Sequence, residues 1–292
     1  MSRLVLSSFF VLSVVVGLHS QEIAPHQPPP MCSMVYPATP PRLVFLGDSN
    51  THAGRFVAIV DAKFRKVMRG EAVQFLNLGV SSETVAGTSE PDHPFKRPCV
   101  HSRIDKVLRM LQPNIVVVCY GMNDGIYQPP SEEILDAYKD GMLRLAAKVK
   151  ASGAMLIVMT PPPFEPEAIE KRGGMFGPNA NGNFAWNAPV ENYDRAVKEM
   201  ADWCMTNPFD AFIVVDLRTP LLELRQRNIA EDPEFLLTGD GVHFKDAAHD
   251  AVANALLSKL PVGSHMTDEQ LTDEELKVAI ASNQLLRDAY LS

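Results

Sequence analysis

Long apolar runs, an excess of basic residues and cysteines at metal-binding spacing are all missing from this chain of 292 residues. The apolar stretch at residues 4–18 reads Leu-Val-Leu-Ser-Ser-Phe-Phe-Val-Leu-Ser-Val-Val-Val-Gly-Leu. It falls short of the about 20 apolar residues that a spanning helix needs. Arg3 lies before it, and the small residues Gly17 and Ser20 lie at its end. The pattern reads as a secretory signal peptide over residues 1–20. The mature chain is then expected to begin between Leu18 and Ala24, to be secreted or periplasmic, and to keep no integral membrane span. An uncleaved N-terminal anchor is the alternative. Cys32 follows a proline run, not the apolar segment, which argues against a lipoprotein.

Lys and Arg number 27 against 35 Asp and Glu, for a net charge of −8. An acidic surface does not suit binding to nucleic acid or anionic lipid, so no nucleic-acid partner is expected. It is silent about neutral substrates. The cysteines number four, and no Cys-x-x-Cys occurs, so a zinc site built on thiolates has no support. Cys119 lies in the run Ile-Val-Val-Val-Cys-Tyr and reads as a core thiol. Cys204 falls on a helical stretch. Cys32 and Cys99 lie in Pro-rich, loop-like surroundings and are the pair expected to form a disulfide after export. Neither internal repeats nor low-complexity blocks are present.

What the chain does contain is an ordinary globular composition, 46% hydrophobic and 21% charged. Its length suits one α/β domain and is marginal for two. Residues 21–41 are Pro-rich and read as an extended lead-in. Beyond them, short apolar runs alternate with helical stretches. Strands are expected at 43–46, 73–78, 114–120, 155–159 and 211–215, and helices at 55–68, 102–111, 132–150, 192–205 and 247–260. The Ile/Val run at 114–120 is unbroken by polar residues, as in a parallel strand covered on both faces. The alternation implies an α/β fold with a parallel sheet, over residues 42–262. Residues 81–98 and 164–189 read as loops. The second is Gly/Asn-rich and carries Trp186, and loops of that length in a compact domain are usually functional. The tail at 263–292 offers one amphipathic helix over 272–291. A Thr272/Glu275 capping box would start it, and Leu276, Ile280, Leu285 and Leu286 would give it apolar positions for packing or association.

Four motifs carry chemistry. Gly47-Asp48-Ser49 follows the first strand and precedes a helix, which places the Ser49 hydroxyl at the carboxyl edge of the sheet, where open α/β sheets hold their ligands. Gly-x-Ser-x-Gly itself is absent, although the mechanics are parallel. Asp240-Gly-Val-His243 precedes the last helix of the domain. A histidine is poised near neutral pH to take a serine proton, and a carboxylate three residues earlier can fix its tautomer. Gly121-Met-Asn123-Asp124 ends the third strand, and a side-chain amide there can donate to a developing oxyanion. Gly79, in Asn77-Leu-Gly-Val, can expose a backbone N–H to the same point. Taken singly each motif is weak; the evidence lies in their order and their shared position at strand ends.

That order resembles the SGNH (GDSL-type) hydrolase family, whose blocks supply Ser, Gly, Asn and His. The matching positions here are Ser49, Gly79, Asn123 and His243, with Asp240 as the acid, over roughly residues 42–260. The stretch after the nucleophile, Asn-Thr-His-Ala-Gly, departs from the family's usual Ile-Thr or Leu-Ser. The resemblance implies a three-layer α/β/α sandwich with a five-stranded parallel sheet. It implies ester or thioester hydrolysis through an acyl-enzyme, with Ser49, Asp240 and His243 as triad and Ser49, Gly79 and Asn123 as oxyanion hole. No cofactor and no metal are expected.

The expected partner is an ester, in particular an acylated carbohydrate from which acetyl groups are removed. A lipid esterase (lysophospholipase-like), an acyl thioesterase and a catalytically silent carbohydrate-binding SGNH module are the alternatives. His52 and Trp186 are candidate substrate contacts, and Trp186 with Tyr193 could form an aromatic platform for a sugar ring, though core packing explains both equally well. Asp124 is expected to support the Asn123 turn. His93 and His101 lack a third residue that would complete a metal site.

Overall fold

The computed structural model describes residues 40–69, 72–207, 209–260 and 263–291. The expected signal peptide, the lead-in as far as residue 39, and Cys32 lie outside them. A compact unit runs from Ala38 to Ser292.

The chain enters the sheet with β1 (Arg42–Gly47), turns directly into a short helix, α1 (Ser49–Ala53), and continues in α2 (Arg55–Val67). Next come β2 (Gln74–Asn77), the helix α3 (Ile104–Leu111), β3 (Ile115–Cys119), α4 (Glu132–Ala151) and β4 (Met155–Met159). The second half supplies α5 (Pro166–Lys171), α6 (Tyr193–Thr206), β5 (Ile213–Val215), α7 (Arg218–Ile229), α8 (Asp246–Ser258), α9 (Gly263–Thr267) and α10 (Asp273–Leu291). The five strands form one sheet in the order β2-β1-β3-β4-β5. Every pair is parallel.

Side chains alternate along each strand, so the two faces of the sheet carry different residues. Val44, Leu46, Val116, Val118, Leu156 and Val158 pack under α3, α4 and α6. Leu43, Phe45, Val117, Ile157 and Val215 face the layer of α2, α7 and α8. Both faces are therefore dry, which is why the strands read as unbroken apolar runs. Each such side chain contributes about 1.5–3 kcal/mol on burial.

This is the three-layer α/β/α sandwich that the sequence implies. The chain leaves β1 for β2 on one side and returns for β3 on the other. The topological switch therefore lies between β1 and β3, where such sheets open a crevice beyond their carboxyl ends. The register aligns Gly47 with Cys119, and Cys119 with Met159. Whatever follows these residues shares one edge.

Four helices, α1, α5, α7 and α9, depart from the sequence reading. The 164–189 segment holds α5, started by Pro166 in its first turn, where proline needs no N–H partner. The helix α7 buries only Leu221 and Arg218, so it shows no apolar stripe to read. Asp216 marks its start instead, its Oδ1 accepting from the Arg218 and Thr219 N–H groups. The C-terminal α10 begins with the expected capping box: Thr272 N–H donates to Glu275 Oε2 and Glu275 N–H to Thr272 Oγ1. It packs on α2 through Ala279 against Ala58 and Ala62, and Asn283 Nδ2 donates to Asp61 Oδ2 at 3.0 Å. Leu285 is corrected to a solvent position, 71% exposed.

Two glycines make different demands. Gly141, on α4, lies where an added Cβ would come within 2.4 Å of the Val85 carbonyl oxygen. Gly153 has open space but a φ of +83°. We expect Gly141→Ala to cost about 1–3 kcal/mol by overpacking, with Gly141→Asn worse. At Gly153 the order should reverse, because asparagine tolerates the left-handed region better than alanine. Urea unfolding of the four variants checks this; the same ranking at both sites would contradict it.

Candidate active site

The position of Ser49 starts with Gly47. A Cβ there would lie 2.2 Å from Thr51 Oγ1 and 2.8 Å from the Cys119 carbonyl, so only glycine lets α1 fold back on its own strand. Asp48 caps α1, its side chain accepting from Asn50 N–H at 3.0 Å. It is buried, and burial raises its pKa to about 6 against the pull of that bond. Ser49 is the first residue of the helix.

The partner turn is as tightly specified. Asp240 Oδ1 accepts from the N–H groups of Val242 at 3.1 Å and His243 at 2.8 Å. Its Oδ2 lies 2.7 Å from His243 Nδ1, and His243 Nε2 lies 2.9 Å from Ser49 Oγ. Burial raises the Asp240 pKa, but the bonds from His243 outweigh it and bring it down to about 2. The hydrogen bond to Asp240 raises the His243 pKa, outweighing burial. Ionised Asp240 accepts a hydrogen bond from His243 Nδ1–H and so holds the proton on Nδ1, which leaves the Nε2 lone pair facing the serine hydroxyl. Beneath the turn, the buried Glu165 carboxylate accepts from Thr238 N–H and Oγ1 and from Leu237 N–H.

Asn50 ties these two halves together. Its Nδ2 donates to the Val242 carbonyl at 2.9 Å, and its Oδ1 accepts from Phe244 N–H at 3.0 Å. The sequence reading gave this residue no role.

On the opposite side stands Asn123, just past β3. Its Nδ2 donates one hydrogen to the Glu83 carbonyl at 3.2 Å, and its Oδ1 accepts from the Tyr127 hydroxyl at 3.3 Å. These bonds fix which way the amide faces and leave its second hydrogen for the cavity that Asn123 lines. Asp124 supports the neighbouring loop, its Oδ1 accepting from Val85 and Ala86 N–H at 2.8 and 2.7 Å. Burial raises its pKa to about 7.

Gly79 requires correction. Its N–H donates to Asn77 Oδ1 at 3.0 Å, and the residue packs against the backbone of Thr51 and His52, away from the cavity lining. Ser82, three residues on, is placed differently. It lines the cavity, and no acceptor among the described residues takes its N–H. Its φ is 65°, a left-handed conformation that costs a non-glycine residue about 1–2 kcal/mol. No residue type announced this, since a left-handed position normally reads as glycine.

The cavity between these groups has a volume of about 600 Å³. Trp186 lines it and is 51% exposed, as does Phe95 at 55%. Tyr193 does not join Trp186 in a platform: it is fully buried, its hydroxyl donating to the Met122 carbonyl at 2.7 Å. His52 is also corrected. Its Nδ1 lies 3.0 Å from the Gly79 carbonyl, and it lines a separate polar crevice beside α10. Among the described residues no group of three His, Cys, Asp or Glu is placed to hold a metal ion. His101 Nε2 is spent on the Gly141 carbonyl. Burial raises the thiol pKa values of Cys119 and Cys204, the latter to about 12. Cys99 is free among the described residues, and the expected Cys32 partner lies outside them.

A serine, a histidine and a carboxylate stand in hydrogen-bonded series and face an amide and an unpaired N–H across a cavity. The profile of the GDSL-like lipase/acylhydrolase family matches residues 45–251, and the chain belongs to that family. No curated protein matches. Among solved structures, the chain is similar to BT4096, a gut microbial diltiazem-metabolizing enzyme, at 17% identity and a TM-score of 0.55. The match covers 77% of this chain and 48% of that one, so this chain spans about half its length. It is similar also to a catalytic mutant of Axe2, an acetylxylan esterase from Geobacillus stearothermophilus, at 20% identity and a TM-score of 0.50, covering 82% and 99%. At such identities the likeness is one of fold.

The ion-pair geometry sets an expectation for His243. Asp240 raises its pKa, so its ring should titrate above the ordinary histidine value of about 6.5. Asp240→Asn removes the cause and should move the midpoint to lower pH. Ring-proton NMR reads both; an unmoved or rising midpoint would contradict the pairing.

Proposed function

We propose that this chain is a secreted serine esterase that removes acyl groups, acetyl in particular, from a carbohydrate. The observation that carries the reading is the Ser49–His243–Asp240 series, with contacts of 2.9 and 2.7 Å. In the reaction, Ser49 Oγ attacks the ester carbonyl carbon while His243 Nε2 takes its proton. The carbonyl oxygen gains the electron pair and is held by the N–H groups of Ser49 and Ser82 and the amide of Asn123. The C–O bond to the alcohol then breaks, and His243 returns the proton to the leaving oxygen. Water, deprotonated by the same histidine, repeats the sequence on the acyl-enzyme and releases the acid and free Ser49. Asp240 orients the imidazole and stabilises its charged form.

The carbohydrate half of the reading is supported by the size of the cavity, which exceeds what an acetyl group fills. It is supported also by Trp186 and Phe95, exposed apolar rings of the kind that stack on sugar faces. Export rests on the apolar run at residues 4–18.

The test is turnover of acetylated oligosaccharides, p-nitrophenyl esters of increasing chain length and an acyl thioester, with enzyme recovered from the culture medium. Short acyl groups and acetylated glycans should lead the panel. Ser49→Ala and His243→Ala should be comparably severe, and Asp240→Asn should lose about 10⁴-fold in turnover. Asn123→Ala should lose about 10²–10³-fold with little change in KM. Trp186→Ala should raise KM for the glycan and leave p-nitrophenyl acetate nearly untouched. Preference for long acyl chains would contradict the carbohydrate assignment, and no turnover by the wild type would contradict the enzyme.

A further inference from the structure

A buried cation lies on the Ser82 and Asn123 side of the cavity and contributes to its lining, outside the reaction as written. Arg97 is 3% exposed. Its Nη2 and Nε donate to Glu90 Oε1 at 2.7 Å and Oε2 at 2.5 Å, and Glu90 is equally buried. The remaining arm, Nη1, reaches the Ser82 carbonyl at 3.4 Å. The guanidinium carbon lies 5.6 Å from the centre of the Tyr127 ring, within cation–π range. Tyr127 in turn gives its hydroxyl to Asn123 Oδ1.

Two features single out this contact. A buried ion pair gains little stability over an apolar pair of the same volume, so folding alone gives no reason for charge here. The segments that Arg97 touches are also strained: Ser82 has φ 65° and Tyr127 φ 58°, neither a glycine. Such conformations persist only where their surroundings hold them. They belong to different loops, one after β2 and one after β3, and each supplies or supports one donor.

We propose that Arg97, held by Glu90, is a positioning residue for the oxyanion pocket. It fixes Ser82 through its carbonyl and Asn123 through Tyr127, so that both donors meet one point. The inference rests on the esterase reading above.

Arg97→Met alone would leave Glu90 unpaired in the interior, which is strongly destabilising. The main variant is therefore Arg97→Met/Glu90→Gln. Beside it stands Arg97→Lys, which keeps the charge opposite Glu90 but loses the planar fork. With p-nitrophenyl acetate, the double variant should lose about tenfold to a hundredfold in kcat, the scale of a misplaced donor, while KM stays within about twofold. Inhibition by phenylboronic acid, whose trigonal boron becomes tetrahedral when Ser49 Oγ adds to it, should weaken in parallel, and inhibition by acetate should not. Arg97→Lys should shift kcat in the same direction with its thermal melt intact. Combined with Asn123→Ala, the double variant should lose less than the product of the separate losses, because both act on one group. An unchanged kcat, a loss confined to KM, or fully multiplicative losses would overturn the inference while leaving the esterase reading in place. A wild type without turnover would overturn both.

Discussion

The site depends on one carboxamide. Asn50 spans the gap between α1, which carries Ser49, and the turn that carries His243, bonding the backbone on either side of His243 through Val242 and Phe244. The residues it joins are about as far apart in sequence as Ser49 and His243, which are separated by 194 positions. The Ser49–His243 contact could not hold them by itself, because the histidine side chain is half exposed and competes with water. Asn50 is buried, so each of its bonds resists solvent. Losing one would strand a buried polar group at about 1–3 kcal/mol. The serine–histidine distance is thus set by backbone anchored at both ends.

Everything else supplies that bridge with fixed ends. The parallel register brings Gly47, Cys119 and Met159 to one edge. Gly47 then permits an immediate turn into α1. Glu165, soon after β4, holds the Asp240 turn from below. Carboxylates kept out of water recur around the site, Asp48 with its pKa near 6 and Asp124 near 7. A raised carboxyl pKa means that ionisation opposes folding as pH climbs from the unfolded value through the folded one. The fold accepts that cost where the carboxylates fix backbone N–H groups: Asp48 at the start of α1, Asp124 in the loop that follows Ser82.

The fold and the attacking half of the site were legible in the sequence because their signals are local. A glycine ends β1, a serine follows it, and an Asp-x-x-His turn needs only three residues to place acid beside base. Asn123 was legible for the same reason. The unpaired N–H that the loop after β2 brings to the cavity was not. The expectation for Gly79 rests on its place at the end of β2 and on the family's glycine block; its backbone packs against Thr51 and His52 instead. The donor that faces the cavity belongs to Ser82, whose left-handed backbone is imposed by its neighbours, not by its residue type. His52 sits three residues from the nucleophile, yet on a helix that turns its ring toward the Gly79 carbonyl. The contacts of Asn50 join segments 192 and 194 positions apart, which no window along the chain contains; those of Arg97 with Glu90 and Ser82 lie within one loop, where nothing in the residue types marks them. The helix α7 escaped notice because a helix covering a core with one leucine has no stripe.

The central claim is that Ser49, and no other side chain, carries the acyl group. A fluorophosphonate reacts with an activated serine to give an adduct that does not turn over, so it tests that claim without knowledge of the natural ester. The full chain should acquire a single adduct, mapped by peptide mass spectrometry to the peptide containing Ser49, and Ser49→Ala should acquire none. An adduct on a different residue, or a Ser49→Ala protein that still hydrolyses esters at the wild-type rate, would contradict the account.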